Sequence, residues 1–326
     1  MLTVAGEAAF STATIHRRLA SAIERRDHLF TAENNSARLV FAESDFLPGL
    51  VVDRFAAKLS VQFNSAFSEH YRAEILAALQ TLVTSAKIID TSDNEARNRE
   101  QLLPVSRIDN AEETVILSGG IRYAIRVGAG QKTGFYLDQR TNRAIVATHA
   151  AGRRVLDAFC YSGSFSLACA KAGAAAVTAI DSSADALALF KRNLELDATD
   201  FNANTPVKPV QADVFEELRK LKSAGEKFDL IVLDPPKLAP SRSKMDAAEK
   251  AYKDLSLQAL HLASPGALLA TFSCSGAMTF DKLRQVLHYA AHDAGKHLQI
   301  LQPLMQAEDH PVLLAFPESE YLRGYL

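Results

Sequence analysis

Val155-Leu156-Asp157-Ala158-Phe159-Cys160-Tyr161-Ser162-Gly163-Ser164-Phe165 is the stretch that decides the fold. An apolar run ends at an aspartate, a short turn follows, and an apolar helix start comes next. That order of residues predicts a strand, a tight turn and a helix, the first crossing of a doubly wound α/β sheet. Further downstream, short apolar runs recur between helical stretches: Val177-Thr178-Ala179-Ile180, Pro209-Val210, Leu230-Ile231-Val232-Leu233 and Ala267-Leu268-Leu269. Strands alternating with helices predict a mostly parallel sheet covered on both faces.

Upstream of Gly152 the pattern differs. Ile15, Leu19, Ala22 and Ile23 fall at helical spacing beside Arg17, Arg18, Arg25 and Arg26, which predicts an N-terminal amphipathic helix within residues 1–30. Leu39-Val40-Phe41 and Leu50-Val51-Val52 flank the turn signal Leu47-Pro48-Gly49, and Leu59 to Phe63 alternates like a half-buried strand. A helix over Tyr71 to Val83, a strand at Ile88-Ile89 and a hairpin around Gly119-Gly120 complete a small α+β domain over residues 31–137, its strands broken by one helix. The Rossmann-like domain is expected over 138–326, with the boundary near a helix from Asp138 to about His149.

Composition narrows the setting. With 326 residues and 48% apolar content the chain exceeds the usual single core, and two domains are the expectation. A formal net charge of -2 advertises no nucleic acid globally. Locally, Arg122, Arg126, Lys132, Arg140, Arg143, Arg153 and Arg154 face a single carboxylate, Asp138, a pattern that fits either phosphate contact or a solvated surface. Cys160, Cys169 and Cys274 are too few for a disulfide framework and share no metal-ligand spacing with the histidines. No apolar run approaches the ~18 residues of a membrane span. A reducing cytoplasm without membrane or metal is the expectation.

The first turn keeps one glycine, Gly163, where a dinucleotide fingerprint has three, and Phe159 and Tyr161 stand near the other two positions. Bulky side chains there obstruct a pyrophosphate, which argues against a nicotinamide oxidoreductase and for S-adenosylmethionine, a cofactor without phosphates. Asp157, Asp181 and Asp213 follow three successive strands. Asp181 is placed to accept ribose hydroxyls and Asp213 the adenine amino group, with Val214 packing on the ring, although each aspartate is also a natural helix cap.

Two further motifs carry chemistry. Asp234-Pro235-Pro236-Lys237 closes the most apolar strand, and its prolines hold the turn rigid beside an inserted planar base while Asp234 bonds a ring nitrogen or amide edge. Leu268-Leu269-Ala270-Thr271-Phe272-Ser273-Cys274-Ser275-Gly276 ends another strand with a thiol. C5 of cytosine is a poor nucleophile until a thiolate adds to C6, and cationic surroundings would favour that thiolate at Cys274. A free cysteine is otherwise a small buried apolar residue, the role expected of Cys160 and Cys169.

The runs Glu43 to Gly49, Gln131-Lys132-Thr133-Gly134-Phe135-Tyr136-Leu137-Asp138-Gln139-Arg140, Asp157 to Phe165, Asp234 to Lys237, Thr271 to Gly276 and His310-Pro311-Val312 resemble the bacterial 23S large-subunit ribosomal RNA cytosine-C5 methyltransferases of the RlmI type. The resemblance covers the chain from about residue 10 to its C-terminus. It implies a class I S-adenosylmethionine-dependent methyltransferase with Cys274 as nucleophile and Asp234 beside it. It also implies that Lys132, Thr133, Phe159, Tyr161, Ser162, Gly163, Ser182 and Pro235 serve the cofactor, and that Arg140, Pro236, Lys237 and His310 serve the substrate. Ribosomal RNA is the implied partner, and a homodimer is compatible with it.

Members of that family usually begin with a PUA RNA-binding domain, and the sequence before Ile15 has no room for one. RNA contact is therefore expected from the small domain and the Arg122 to Arg154 stretch, with Lys237, Arg242, Lys244, Lys250 and Lys253. An unpaired or flipped cytosine is the expected target. Two alternatives stay open: methylation of a base nitrogen on guanine or an exocyclic amine, and an RNA-binding or assembly factor that has lost turnover.

Overall fold

The computed structural model describes residues 10–106, 112–128, 134–196, 205–238 and 245–326. The chain divides into two compact units, with the break between Asp138 and Gln139 and a second excursion, Ala307–Ser319, that returns to the first unit.

In the first unit, α1 (Thr12–Glu24) starts where the Ser11 hydroxyl accepts the N–H of Thr14. Its buried Ile15, Leu19 and Ala22 join one core with Leu39, Val52, Val61 and Phe63. Burying Ile15 and Leu19 is worth about 1.5–3 kcal/mol each, which ties this helix to the core of the small unit. The sheet consists of β1 (Ser36–Phe41), β2 (Leu50–Phe55), β3 (Lys58–Phe63) and β4 (Lys87–Asp90), in that order. The first three strands are antiparallel, and β3 and β4 are parallel across a crossover that carries α2 (Ala66–His70) and α3 (Arg72–Leu82).

A further helix, α4 (Asn94–Arg99), is capped by Asp93 and was not legible as a helix in the sequence. Strands β5 (Glu113–Ser118) and β6 (Ile121–Arg126) form the expected hairpin, closed by Gly119 and Gly120 at φ 61° and 68°, a left-handed pair that only glycine adopts without strain. Asp309 explains why 307–319 returns here. Its buried carboxylate accepts the backbone N–H of Arg38 on β1 at 3.0 Å and lies 2.8 Å from His310 Nδ1.

The second unit runs α5 (Arg140–Thr148), β7 (Arg154–Ala158), α6 (Ser164–Lys171), β8 (Ala176–Asp181), α7 (Ala184–Leu196), β9 (Val207–Gln211), α8 (Val214–Ser223) and β10 (Phe228–Leu233). It continues with α9 (Met245–Leu262), β11 (Ala263–Ser273), α10 (Phe280–Asp293), β12 (Pro303–Met305) and β13 (Arg323–Tyr325). The sheet order is β12-β13-β11-β10-β7-β8-β9, parallel from β11 to β9 and antiparallel at β12 and β13.

Successive residues of one strand feed opposite cores. Leu230 and Val232 pack with Phe165 and Cys169 on one face, whereas Ile231 and Leu233 pack with Leu218, Leu255 and Ala259 on the other. That two-sided burial is why these strands read as continuous apolar runs. Among the described residues no helix is long and apolar enough to cross a membrane.

Candidate active site

From β7 the chain winds outward through β8 and β9 and then returns to lay β10 on the other side of β7. The order reverses between β7 and β10, and ligands of open α/β sheets bind outside the strand ends at such a reversal. Asp157 in β7, Asp234 after β10 and Cys274 after β11 all stand at carboxyl ends of neighbouring parallel strands.

The turn after β7 is unusual in its backbone. Phe159 and Tyr161 adopt φ 66° and 49°, a left-handed conformation that costs a non-glycine residue about 1–3 kcal/mol and persists where surroundings hold it. The holders are visible. The N–H groups of Phe159 and Cys160 both donate to the Ile180 carbonyl, at 2.9 and 3.0 Å, and the Tyr161 N–H donates to Asp181 Oδ2 at 2.8 Å. Gly163 has φ 81°, and a Cβ there would overlap the Phe190 ring on α7. Its glycine is therefore demanded by helix packing, a reason the sequence does not disclose.

Asp157 is fully buried. Its Oδ2 accepts the Ser166 N–H at 3.0 Å and the Ser166 hydroxyl at 2.6 Å, while Oδ1 has no partner among the described residues. Loss of water raises its carboxyl to about 6, against the hydrogen bonds from Ser166 that pull it down. A buried carboxylate oxygen with no described partner, next to a turn that lacks the glycines a pyrophosphate needs, fits the cationic and phosphate-free S-adenosylmethionine.

Asp181 and Asp213 have local duties. Asp181 holds Tyr161 and also accepts the Ser183 N–H at 2.9 Å, and Asp213 caps α8 by accepting the Glu216 N–H at 3.0 Å. Val214 beside it is buried and Ser182 is exposed. Ser162 is buried and its carbonyl accepts Asn193 Nδ2 at 3.0 Å. Pro235 is buried, Pro236 and Lys237 are exposed, and Arg140 is half-buried in the first turn of α5. Lys132, Thr133, Arg242 and Lys244 lie outside the described residues.

On the chemical side, Asp234 donates its N–H to the Ala158 carbonyl at 3.3 Å and accepts Gln139 Nε2 at 3.0 Å on Oδ2. Cys274 is half-buried, next to a buried pair in which Tyr252 Oη and Ser273 Oγ are 2.8 Å apart. Ser273 Oγ also accepts the Ser275 N–H at 3.2 Å. The other two thiols are buried, and burial with the nearby Asp157 charge pushes both far up, which leaves them unreactive.

Two expectations from sequence shift. His310 belongs to the first unit, buried against Phe41 and Asp309, so the substrate role assigned to it has no exposed surface behind it. Within the basic stretch of the second unit, Arg143 is buried, and the exposed Arg154 pairs with Glu226 at 2.6 Å. Sequence reasoning missed Gln139, Asn142 and Tyr252. Gln139 lay in a quoted motif without an assigned role, and Tyr252 reads only as one apolar position of a helix.

The S-adenosylmethionine-dependent methyltransferase family matches residues 104–300. A protein of Tolumonas auensis named ribosomal RNA large subunit methyltransferase I is 41% identical over 314 residues, covering 94% of this chain and 78% of its own length. A protein of the same name from Aeromonas hydrophila is 42% identical with the same coverage. A solved structure from Streptococcus mutans, described as "a putative SAM-dependent methyltransferase", shares the fold, with TM-score 0.82 and 23% identity over 98% of this chain and 82% of that one.

Proposed function

The chain belongs to the S-adenosylmethionine-dependent methyltransferase family, and from that premise we propose that it forms 5-methylcytosine in large-subunit ribosomal RNA through a transient bond to Cys274. The observation that carries the reading is the placement of Asp234 and Cys274 at the ends of adjacent parallel strands, one strand away from the buried Asp157. The relatives' shared name supports RNA of the large ribosomal subunit as the substrate and the cytoplasm as the place of action.

Asp157, Tyr161, Asp181, Asp213 and Val214 would hold the cofactor along the ends of β7, β8 and β9. S-adenosylmethionine, when bound, supplies an electrophilic methyl group. Cys274 thiolate gives its electron pair to C6 of the base, the C5–C6 double bond moves to C4–C5, and the pair freed from C4–N3 takes a proton from solvent at N3. Asp234 accepts the hydrogen bond from that N3–H and so holds the charge-neutral enamine whose C5 is nucleophilic. After C5 has gained its methyl group and lost its proton to solvent, the thiolate leaves C6, N3 gives up its proton and the ring is restored. The rigid Pro235-Pro236 turn limits the positions open to the base. A duplex hides C5 and C6 within the stack, so the substrate is an unpaired or extruded cytosine.

The test is nucleotide-resolution mapping of 5-methylcytosine in ribosomal RNA from cells with and without the gene, complemented by wild type or Cys274→Ala. One cytosine should lose its mark without the gene, regain it with wild type and fail to regain it with Cys274→Ala. Restoration by Cys274→Ala would instead favour a base nitrogen as acceptor, for which no thiol is needed.

A further inference from the structure

Asp234 is tied to a polar chain that begins at the edge of the sheet. Gln139, just ahead of α5, is 2% exposed and directs Nε2 at Asp234 Oδ2 from 3.0 Å. A primary amide turned by half a revolution would present its carbonyl there and repel the carboxylate. Two neighbours remove that ambiguity. Asn142 Nδ2 donates to Gln139 Oε1 at 2.6 Å and to the backbone carbonyl of Met305 on β12 at 2.9 Å. A backbone carbonyl only accepts, so Met305 fixes which end of Asn142 faces it, Asn142 fixes Gln139, and Gln139 can offer Asp234 only a donor. Asn142 is 1% exposed, so water has little access to break the sequence.

We infer that the run from Met305 through Asn142 to Gln139 holds Asp234 as a hydrogen-bond acceptor toward the target base, which makes Gln139 and Asn142 positioning residues that select cytosine over uracil. The inference rests on the reading above, in which Asp234 meets the N3 and amino edge. With Gln139 donating to Oδ2, Asp234 is oriented to act as a hydrogen-bond acceptor. In the Cys274 adduct either base carries N3–H, so the discrimination falls at position 4, where cytosine presents an amino donor and uracil a carbonyl acceptor; an acceptor held there rewards the first and repels the second. Neither Gln139 nor Asn142 need touch the substrate to do this.

The test exchanges donor for acceptor. In Asp234→Asn alone, Gln139 captures the new carbonyl and turns the amide N–H2 toward the base, and kcat/KM for a large-subunit ribosomal RNA transcript should fall at least about 100-fold. In Asp234→Asn with Gln139→Glu, the glutamate accepts from both Asn142 and the new Asn, which returns a carbonyl to the base. At least about 10-fold of the loss should come back, an outcome that space-filling alone would not produce. Gln139→Leu should lower kcat about 10-fold and raise the uracil-to-cytosine ratio, with cofactor Kd by calorimetry within about two-fold of wild type.

The inference is overturned if the double variant binds cofactor yet is no faster than Asp234→Asn, or if Gln139→Leu keeps the wild-type rate and base preference. Should the double variant fail to bind cofactor, Gln139→Leu decides alone. Absence of C5 methylation by the wild-type protein would instead remove the functional reading itself.

Discussion

Tyr252 Oη on α9 and Ser273 Oγ at the end of β11 lie 2.8 Å apart in a buried pair, one residue before Cys274. Ser273 Oγ then accepts the N–H of Ser275, one residue after it. The half-buried thiol is thus flanked by two residues that share one hydroxyl, and that hydroxyl is anchored to a helix. Burial raises the Tyr252 phenol, and the neighbouring Cys274 and Asp234 charges push in the same direction, so it stays a neutral partner.

Tyr252→Phe removes this anchor while keeping the ring. The expected result is a loss of about 1 kcal/mol in a denaturant titration, the usual net worth of one hydrogen bond. Single-turnover methyl transfer should slow several-fold, with cofactor affinity unchanged. An unchanged rate would show that the thiol does not depend on the Tyr252–Ser273 bond.

Alkylation separates the three thiols. Iodoacetamide on the folded protein is expected to label Cys274 and spare Cys160 and Cys169, which are buried and held protonated. Peptide mass spectrometry reads the outcome directly. Early labelling of Cys160 or Cys169 would contradict the burial assigned to the sheet core.

Gly163→Ala places a methyl group in the Phe190 ring at a left-handed φ of 81°. Strain and overpacking together should destabilise the fold by about 2–4 kcal/mol, visible as a lowered melting temperature before any assay of activity. Gly163→Ala combined with Phe190→Leu should recover part of the loss. If the double variant is no better than the sum of its parts, the contact is not the reason for the glycine.

Asp157 links stability to pH. Its carboxyl is raised from the usual 3.8 to about 6. Between those values the native state binds the proton more tightly than the unfolded chain, so its contribution is fully present below about pH 3.8, is lost as pH rises and is gone above about pH 6. Asp157→Asn cannot titrate. The melting temperature of the variant minus that of wild type should therefore rise from pH 4 to pH 7, and a difference that stays flat or falls would contradict the burial of an ionisable group there.

The central strands β7, β8 and β10 were legible because two-sided burial leaves apolar runs, and the βα turn after Asp157 announced itself by residue order. Strand β13 was not, since its three residues, Arg323–Tyr325, carry no period and gain their meaning only from pairing with β11. The return of residues 307–319 to the first unit depends on Asp309 reaching the N–H of Arg38, a contact across a separation that no local pattern encodes. The same limit hid Gln139: its neighbours Asn142, Met305 and Asp234 converge only in three dimensions. Asp181 and Asp213 were found by their positions after strands, and their bonds to Tyr161 and Glu216 appear only with the backbone in view.

The central claim is that sulfur of Cys274 bonds to the target base, and trapping that bond tests it most directly. Ribosomal RNA containing 5-fluorocytidine lacks the C5 proton whose loss frees the thiolate, so incubation with S-adenosylmethionine should leave protein and RNA joined. Mass spectrometry of the digested complex is expected to find the nucleotide on the peptide bearing Cys274. Efficient methylation of ordinary RNA with no adduct on fluorinated RNA, or an adduct on a different residue, would contradict the account.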